Sequence, residues 1–294
     1  MNSLKQAYTD KERLRHYSSI FSSRSFVNIV RYNDFSFLNI IAKKYDNRKI
    51  ERQKLTYYEY IKYIYKSIAK DYRCEYVYKN TILSKLLIEE YGTKNTIAIN
   101  EFRVRNSIVD LALFNGVSKA FEIKTEYDTK KRLATQLSDY TTLFQECYLV
   151  VSEDMVSKYI SFVDESIGII AIHGNKSNLS IEKIRKAKHN EYIDVDVLMQ
   201  SIRTQEYKNI VIQKFGELPT NSCFEMYEKC ANKLKEISDD ELQKLFIQEI
   251  KKRKNNTNQL KKYPEEIRQL YLSMNINQSS YKELSEKLNQ QIIL

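Results

Sequence analysis

The sequence is short of chain breakers, with 5 Gly and 2 Pro in 294 residues. Set beside long stretches of Lys, Glu, Ile and Leu, this favours helices wherever strands are not signalled. Cysteine is scarce as well. Cys74, Cys147, Cys223 and Cys230 show no C-x-x-C spacing, and reduced thiols in a cytoplasmic protein are the expectation. His16, His173 and His189 are scattered, which argues against a zinc site or a histidine-based nuclease. No apolar run approaches the roughly 20 residues of a membrane span, so no membrane contact is expected. The N-terminal residues are charged throughout and carry no apolar signal region, so secretion is not expected. A G-x-x-x-x-G-K-[ST] stretch is missing too, which leaves the chain without an ATPase of its own.

What is present is charge, unevenly spread. The net charge is +10, yet residues 97–173 carry 8 Lys and Arg against 11 Asp and Glu. Residues 1–96 carry 19 against 10, and residues 174–294 carry 21 against 17. An acidic centre between basic flanks suits a polyanion held over a cation-binding site. Taken alone, it suits a solubilising surface equally well.

The acidic centre is also where strands are signalled. Ser107–Lys124 reads as two strands joined at Asn115-Gly116, the strongest short hairpin signal there is. Thr96–Val104 reads as a strand before them. With turns centred on Arg105-Asn106 and on Gly116, Glu101 and Glu122 each lie across from Asp110. Alternation then puts Glu101, Asp110, Glu122 and Lys124 on one face. Three carboxylates side by side repel, and a divalent cation is the expected relief.

Around these strands the pattern is helical. Tyr76–Tyr91 is an amphipathic helix stopped by Gly92, and a further helix runs from about Lys130 to Phe144. Glu146–Ser152 and Ser166–Ile172 read as strands separated by a short helix over Met155–Val163. Strands that follow helical crossovers join a sheet in parallel. The expected fold class is therefore α/β, a mixed β-sheet flanked by helices, with helical N-terminal and C-terminal extensions. Residues 1–73 form a basic helical region, 74–174 the core, and 175–294 a second helical region. The tyrosines of the first region, interleaved with Lys and Arg, read as core walls more readily than as base-stacking platforms.

An acid on one strand and Glu-x-Lys on the next resembles the PD-(D/E)xK nuclease superfamily. Gln136 and Tyr140, in QLSDY, lie on one face of the following helix. They resemble the Gln-x-x-x-Tyr motif of its RecB-like and Cas4-like branch. EIKTEYDTKKRLATQLSDY as a whole is similar to a small bacterial and phage-borne family of that fold. The likeness covers about residues 76–172. It departs from the common pattern at Val109, where Pro is usual before the acid. The first-helix glutamate also has no match, for which Glu101 stands in ahead of Glu89 and Glu90.

The resemblance implies a restriction-endonuclease-like core and a Mg²⁺-dependent nuclease acting on DNA, in phage defence or a mobile element. Asp110 and Glu122, with the Ile123 carbonyl and Glu101, would bind Mg²⁺ or Mn²⁺. Lys124 would orient the attacking water, with Gln136 and Tyr140 positioning it. Arg132 is an expected phosphate contact. The N-terminal basic cluster supplies others: Lys43, Lys44, Arg48 and Lys49. The C-terminal helices would serve architecture or a homodimer. Two other readings remain: a non-catalytic nucleic-acid-binding protein, and a helical interaction protein.

Overall fold

The computed structural model describes residues 2–175 and 178–294. Up to Gly92 the chain is helical, as its shortage of breakers implies. The elements are α1 (Asn2–Ser19), α2 (Ser23–Tyr32), α3 (Ser36–Ile41), α4 (Asn47–Gln53), α5 (Tyr57–Asp71) and α6 (Glu75–Ile82). Helix α5 starts at a reciprocal cap. Glu59 N donates to Thr56 Oγ1 at 3.2 Å, and Thr56 N donates to Glu59 Oε2 at 2.8 Å. The helix expected over Tyr76–Tyr91 begins as α6 and continues as wider π-type turns over Leu83–Tyr91. Gly92, at φ +74°, ends it where an L side chain would be strained. Tyr17 and Tyr60 are buried, and both donate to the buried Asp46 carboxylate, at 2.5 and 2.9 Å. These tyrosines are core.

The next elements are strands β1 (Ile97–Val104), β2 (Ser107–Phe114) and β3 (Ser118–Ile123). Gly116, at φ +109°, turns the β2–β3 hairpin. Helix α7 (Leu133–Thr141) crosses to β4 (Glu146–Ser152), and α8 (Val156–Ile160) leads on to β5 (Gly168–Asn175). Strands β1, β2 and β3 pair antiparallel, while β3–β4 and β4–β5 pair in parallel. The expected mixed α/β sheet is what forms.

One element departs from the sequence reading. Residues 178–185, expected as part of the second helical region, form strand β6 (Asn178–Arg185). The strand order is β1-β2-β3-β4-β5-β6, so β6 is an edge. An edge strand with few buried side chains carries little apolar alternation to read. Helices α9 (Val195–Ser201), α10 (Thr204–Phe215), α11 (Met226–Lys235) and α12 (Asp239–Ile250) follow. The last are α13 (Arg268–Met274) and α14 (Gln278–Leu288).

Packing groups the chain differently from the three consecutive regions 1–73, 74–174 and 175–294. One compact unit is Met1–Glu90, His173–Ile181 and Gln259–Leu294; the other is Tyr91–Ile172 with Glu182–Asn258. The physical reason is helix pairing within the first unit, where α13 packs on α2 and α6, and α14 packs on α2. Charge and breaker patterns along a chain do not reveal which distant helix covers which. No helix among the described residues is long and apolar enough to cross a membrane.

In the second unit α7 lies on one sheet face. Leu133, Leu137 and Tyr140 join a core with Ala112, Phe114, Ala120, Cys147 and Leu149. Phe102, Phe114, Phe144 and Phe246 form its aromatic centre, with Phe114 centroids 5.7 Å from Phe144 and 5.5 Å from Phe246. Phe114→Ala should cost about 3–5 kcal/mol by urea denaturation. A change within about 0.5 kcal/mol, the size of a surface substitution, would remove Phe114 from the core.

Candidate active site

The β2–β3 register sets Leu111 opposite Phe121 and Ala112 opposite Ala120. Continued by one step, it sets Asp110 opposite Glu122, on the face that α7 covers. Glu122 is 1% exposed. A carboxylate so deep is tolerated when its oxygens are matched by donors, and both are. Lys124 Nζ donates to Oε1 at 2.6 Å, and the Tyr140 hydroxyl lies 2.7 Å from Oε2. That hydroxyl also lies 2.7 Å from the Ile108 carbonyl, so its single proton can go to either acceptor. The Gln136 amide oxygen accepts from Lys124 Nζ at 3.2 Å. Asp110 Oδ2 accepts from Ile123 N at 2.7 Å, which ties β2 to the end of β3.

Each of these positions has a local cause. Lys124 N donates to Val150 O at 2.9 Å, so the chain is still pinned to β4 when it delivers the lysine. Gln136 and Tyr140 are one turn apart on α7, whose buried Leu133 and Leu137 press the helix onto the sheet. Burial, then the nearby Glu122 and Asp110 carboxylates, push the Tyr140 hydroxyl well above the ordinary tyrosine range. It is a neutral donor throughout the physiological range. Asp110, Glu122, Lys124, Gln136 and Tyr140, read from sequence as one site, are thus brought together.

Glu101 is not brought in. The β1–β2 register does place it across from Asp110, between the Asn100–Leu111 and Phe102–Val109 pairs. Its backbone, however, adopts φ +56°, which breaks the ladder there and leaves the side chain exposed. Among the described residues no group of three or more His, Cys, Asp or Glu could hold a metal. The expected three-acid cluster therefore reduces to two acids. The repulsion argument also needs correction, because Lys124 already offsets the charge of Glu122. The remaining donors, two carboxylates and the Ile123 carbonyl, still fit Mg²⁺, which takes one or two carboxylates and keeps several waters.

The expected nucleic-acid contacts are spread over the fold. Arg132 is exposed just before α7. In the other unit Lys43 and Arg48 are exposed. Lys44 pairs with Glu12 at 3.0 Å, and the Lys49 ammonium sits 3.7 Å from the Tyr63 ring centroid. Glu89, one of the two alternatives to Glu101, pairs with Lys85 at 2.8 Å.

Three further residues of this unit escaped the sequence reading. Lys130 Nζ donates to the Lys158 carbonyl at 2.6 Å, and the ammoniums of Lys130 and Lys158 lie 5.1 and 5.3 Å from the Tyr159 ring centroid. Their meeting depends on how the β4–β5 crossover folds back, which no local pattern encodes. A cavity of about 610 Å³ also opens in this unit, lined by Leu137, Thr141, Cys147, Phe162, Ile167 and His189 among others. None of the five clustered residues lines it.

The Glu122–Lys124 pair makes a stability prediction independent of function. Lys124→Met strands a buried carboxylate and should cost about 3–5 kcal/mol. Adding Glu122→Gln should restore much of that in chemical denaturation. A double variant as unstable as the single one would show that the two charges are not coupled.

The family described as Bacteriophage P4 protein cII matches residues 68–282. Protein cII of Enterobacteria phage P4 is 28% identical over 182 residues, 61% of this chain. The match covers 64% of the phage protein, so the chain spans a little under two thirds of that relative's length. Among solved structures, the SPO1766 protein of unknown function from Silicibacter pomeroyi aligns over 47% of this chain and 90% of its own. Its TM-score is 0.32 at 12% identity, too distant a likeness to build on. All five clustered residues fall inside the family match, which takes in most of the sequence, and the chain belongs to the Bacteriophage P4 protein cII family.

Proposed function

We propose that this chain is a Mg²⁺-dependent nuclease of the PD-(D/E)xK kind that hydrolyses DNA phosphodiester bonds in the cytoplasm, in phage defence or a mobile element. The observation that supports this most is the convergence of Asp110, Glu122 and Lys124 with Gln136 and Tyr140. Asp110, Glu122 and the Ile123 carbonyl would hold Mg²⁺, or Mn²⁺ in its place, which when bound supplies an acidified water and charge neutralisation at the phosphate.

The chain's own part follows from its hydrogen bonds. An ammonium has three donors. Lys124 places one on Glu122 and one on Gln136, which aims the third at a phosphate oxygen or the attacking water. Gln136 fixes the direction of that donor. Tyr140 holds Glu122 in one orientation, and the Ile123 N–H does the same for Asp110. Arg132 and the Lys43, Lys44, Arg48 and Lys49 cluster would contact backbone phosphates, and the helical C-terminal region would serve a homodimer.

A second reading, a nucleic-acid-binding protein without catalysis, draws support from two observations. Glu101 is turned away, and Lys124 neutralises Glu122 without a metal. Cleavage of a panel of labelled DNA and RNA oligonucleotides with Mg²⁺ or Mn²⁺ separates the two. Under the nuclease reading the wild type cuts, Asp110→Asn and Glu122→Gln fall to background, and Lys124→Met loses turnover while the substrate still binds. Either acid variant cutting at the wild-type rate would sink the assignment, and an inert but binding wild type would favour the second reading.

A further inference from the structure

Tyr159 is fully buried, and its hydroxyl has no hydrogen-bond partner. Leaving a buried hydroxyl unmatched costs about 1–3 kcal/mol, so such an atom needs an explanation. Its surroundings offer one. Lys124 and Asp128 both act electrostatically on this hydroxyl. The ring is overlain by two flexible ammoniums, Lys130 and Lys158, and Lys130 also lies 4.4 Å from the Phe162 centroid.

Several lysines of this unit pair with a carboxylate, as Lys119 does with Glu146 and Lys214 with Glu241. Lys130 and Lys158 form no ion pair among the described residues; Lys130 spends one donor on the Lys158 carbonyl. The nearby Asp128 is turned into its own loop, where it accepts from Thr125 N at 2.8 Å and Thr125 Oγ1 at 2.7 Å. Two ammoniums without a carboxylate partner and an unmatched hydroxyl on the ring they overlie form a donor-rich edge. A compact anion with several oxygens satisfies such a set, as charge-assisted hydrogen bonds are the strong ones.

We propose that Lys130, Lys158 and Tyr159 bind a phosphate of the nucleic-acid backbone. The choice of a polymer rests on the reading of the Asp110–Lys124 site given above. The phosphate would displace the Lys130 side chain from the ring and give Tyr159 its missing partner.

The test is fluorescence anisotropy of the full chain with labelled single-stranded and duplex DNA, in EDTA, over a salt series. Lys130→Gln with Lys158→Gln removes both charges and keeps the stems. This variant should flatten the log–log salt slope by about 1.4 to 1.8, at about 0.7 to 0.9 per phosphate contact. Lys130→Arg with Lys158→Arg should keep the wild-type slope. Lys229→Gln with Lys244→Gln, which removes the same charge elsewhere, should leave it unchanged. Tyr159→Phe should keep the slope and weaken binding about tenfold, the size of a lost hydrogen bond to an anion. Thermal unfolding checks that each variant is folded.

Three results would overturn the site: a Gln pair no flatter than the control, an unaffected Tyr159→Phe, or a wild type that binds neither oligonucleotide. Displacement of DNA by an equal concentration of mononucleotide would move the ligand from a polymer to a free phosphate and overturn it too. Failure of the nuclease reading looks different. There the wild type never cuts with Mg²⁺ or Mn²⁺, yet the salt slopes behave as expected, and the phosphate site stands without catalysis.

Discussion

The Glu122–Lys124 ion pair is the contact on which the rest of the site depends. A carboxylate at 1% exposure inside a sheet is destabilising unless its oxygens are matched. The matching groups come from two elements, Lys124 at the end of β3 and Tyr140 on α7. Satisfying one side chain therefore fixes where α7 lies on the sheet. Gln136 is carried to Lys124 by the same docking, and the apolar stripe of α7 seals the arrangement from below. Stability and site geometry are here the same set of bonds.

That coupling sets a tension at the centre of the proposed chemistry. A cation bound by Asp110 and Glu122 would compete with Lys124 for Glu122, because both want the same carboxylate oxygens. On the proposed reading, metal binding would weaken the pair that stabilises the protein without metal.

Much of this was legible in the sequence because it is local. Asn115-Gly116 fixed the hairpin register and so set Asp110 across from Glu122. The four-residue spacing of Gln136 and Tyr140 placed both over that pair. Glu101 was legible in register and not in conformation. A single left-handed residue inside a strand leaves no mark in the pattern, so the expected third acid is turned out to solvent. The β6 edge strand was hidden by its polar composition. The division into compact units was hidden for another reason: α13 and α14 complete a core begun at α2 and α6, and pairings across that distance are not written locally. Lys130, Lys158 and Tyr159 belong to the same class, since they meet only after a crossover folds back.

The most direct measurement is calorimetric titration of the folded chain with Mn²⁺ at low ionic strength, wild type beside Asp110→Asn. Binding to the wild type that disappears in the variant, with the fold intact, is the expected result. Mn²⁺ that fails to bind the wild type, or that binds Asp110→Asn equally well, would show that these two acids serve the ion-pair network and not a metal centre.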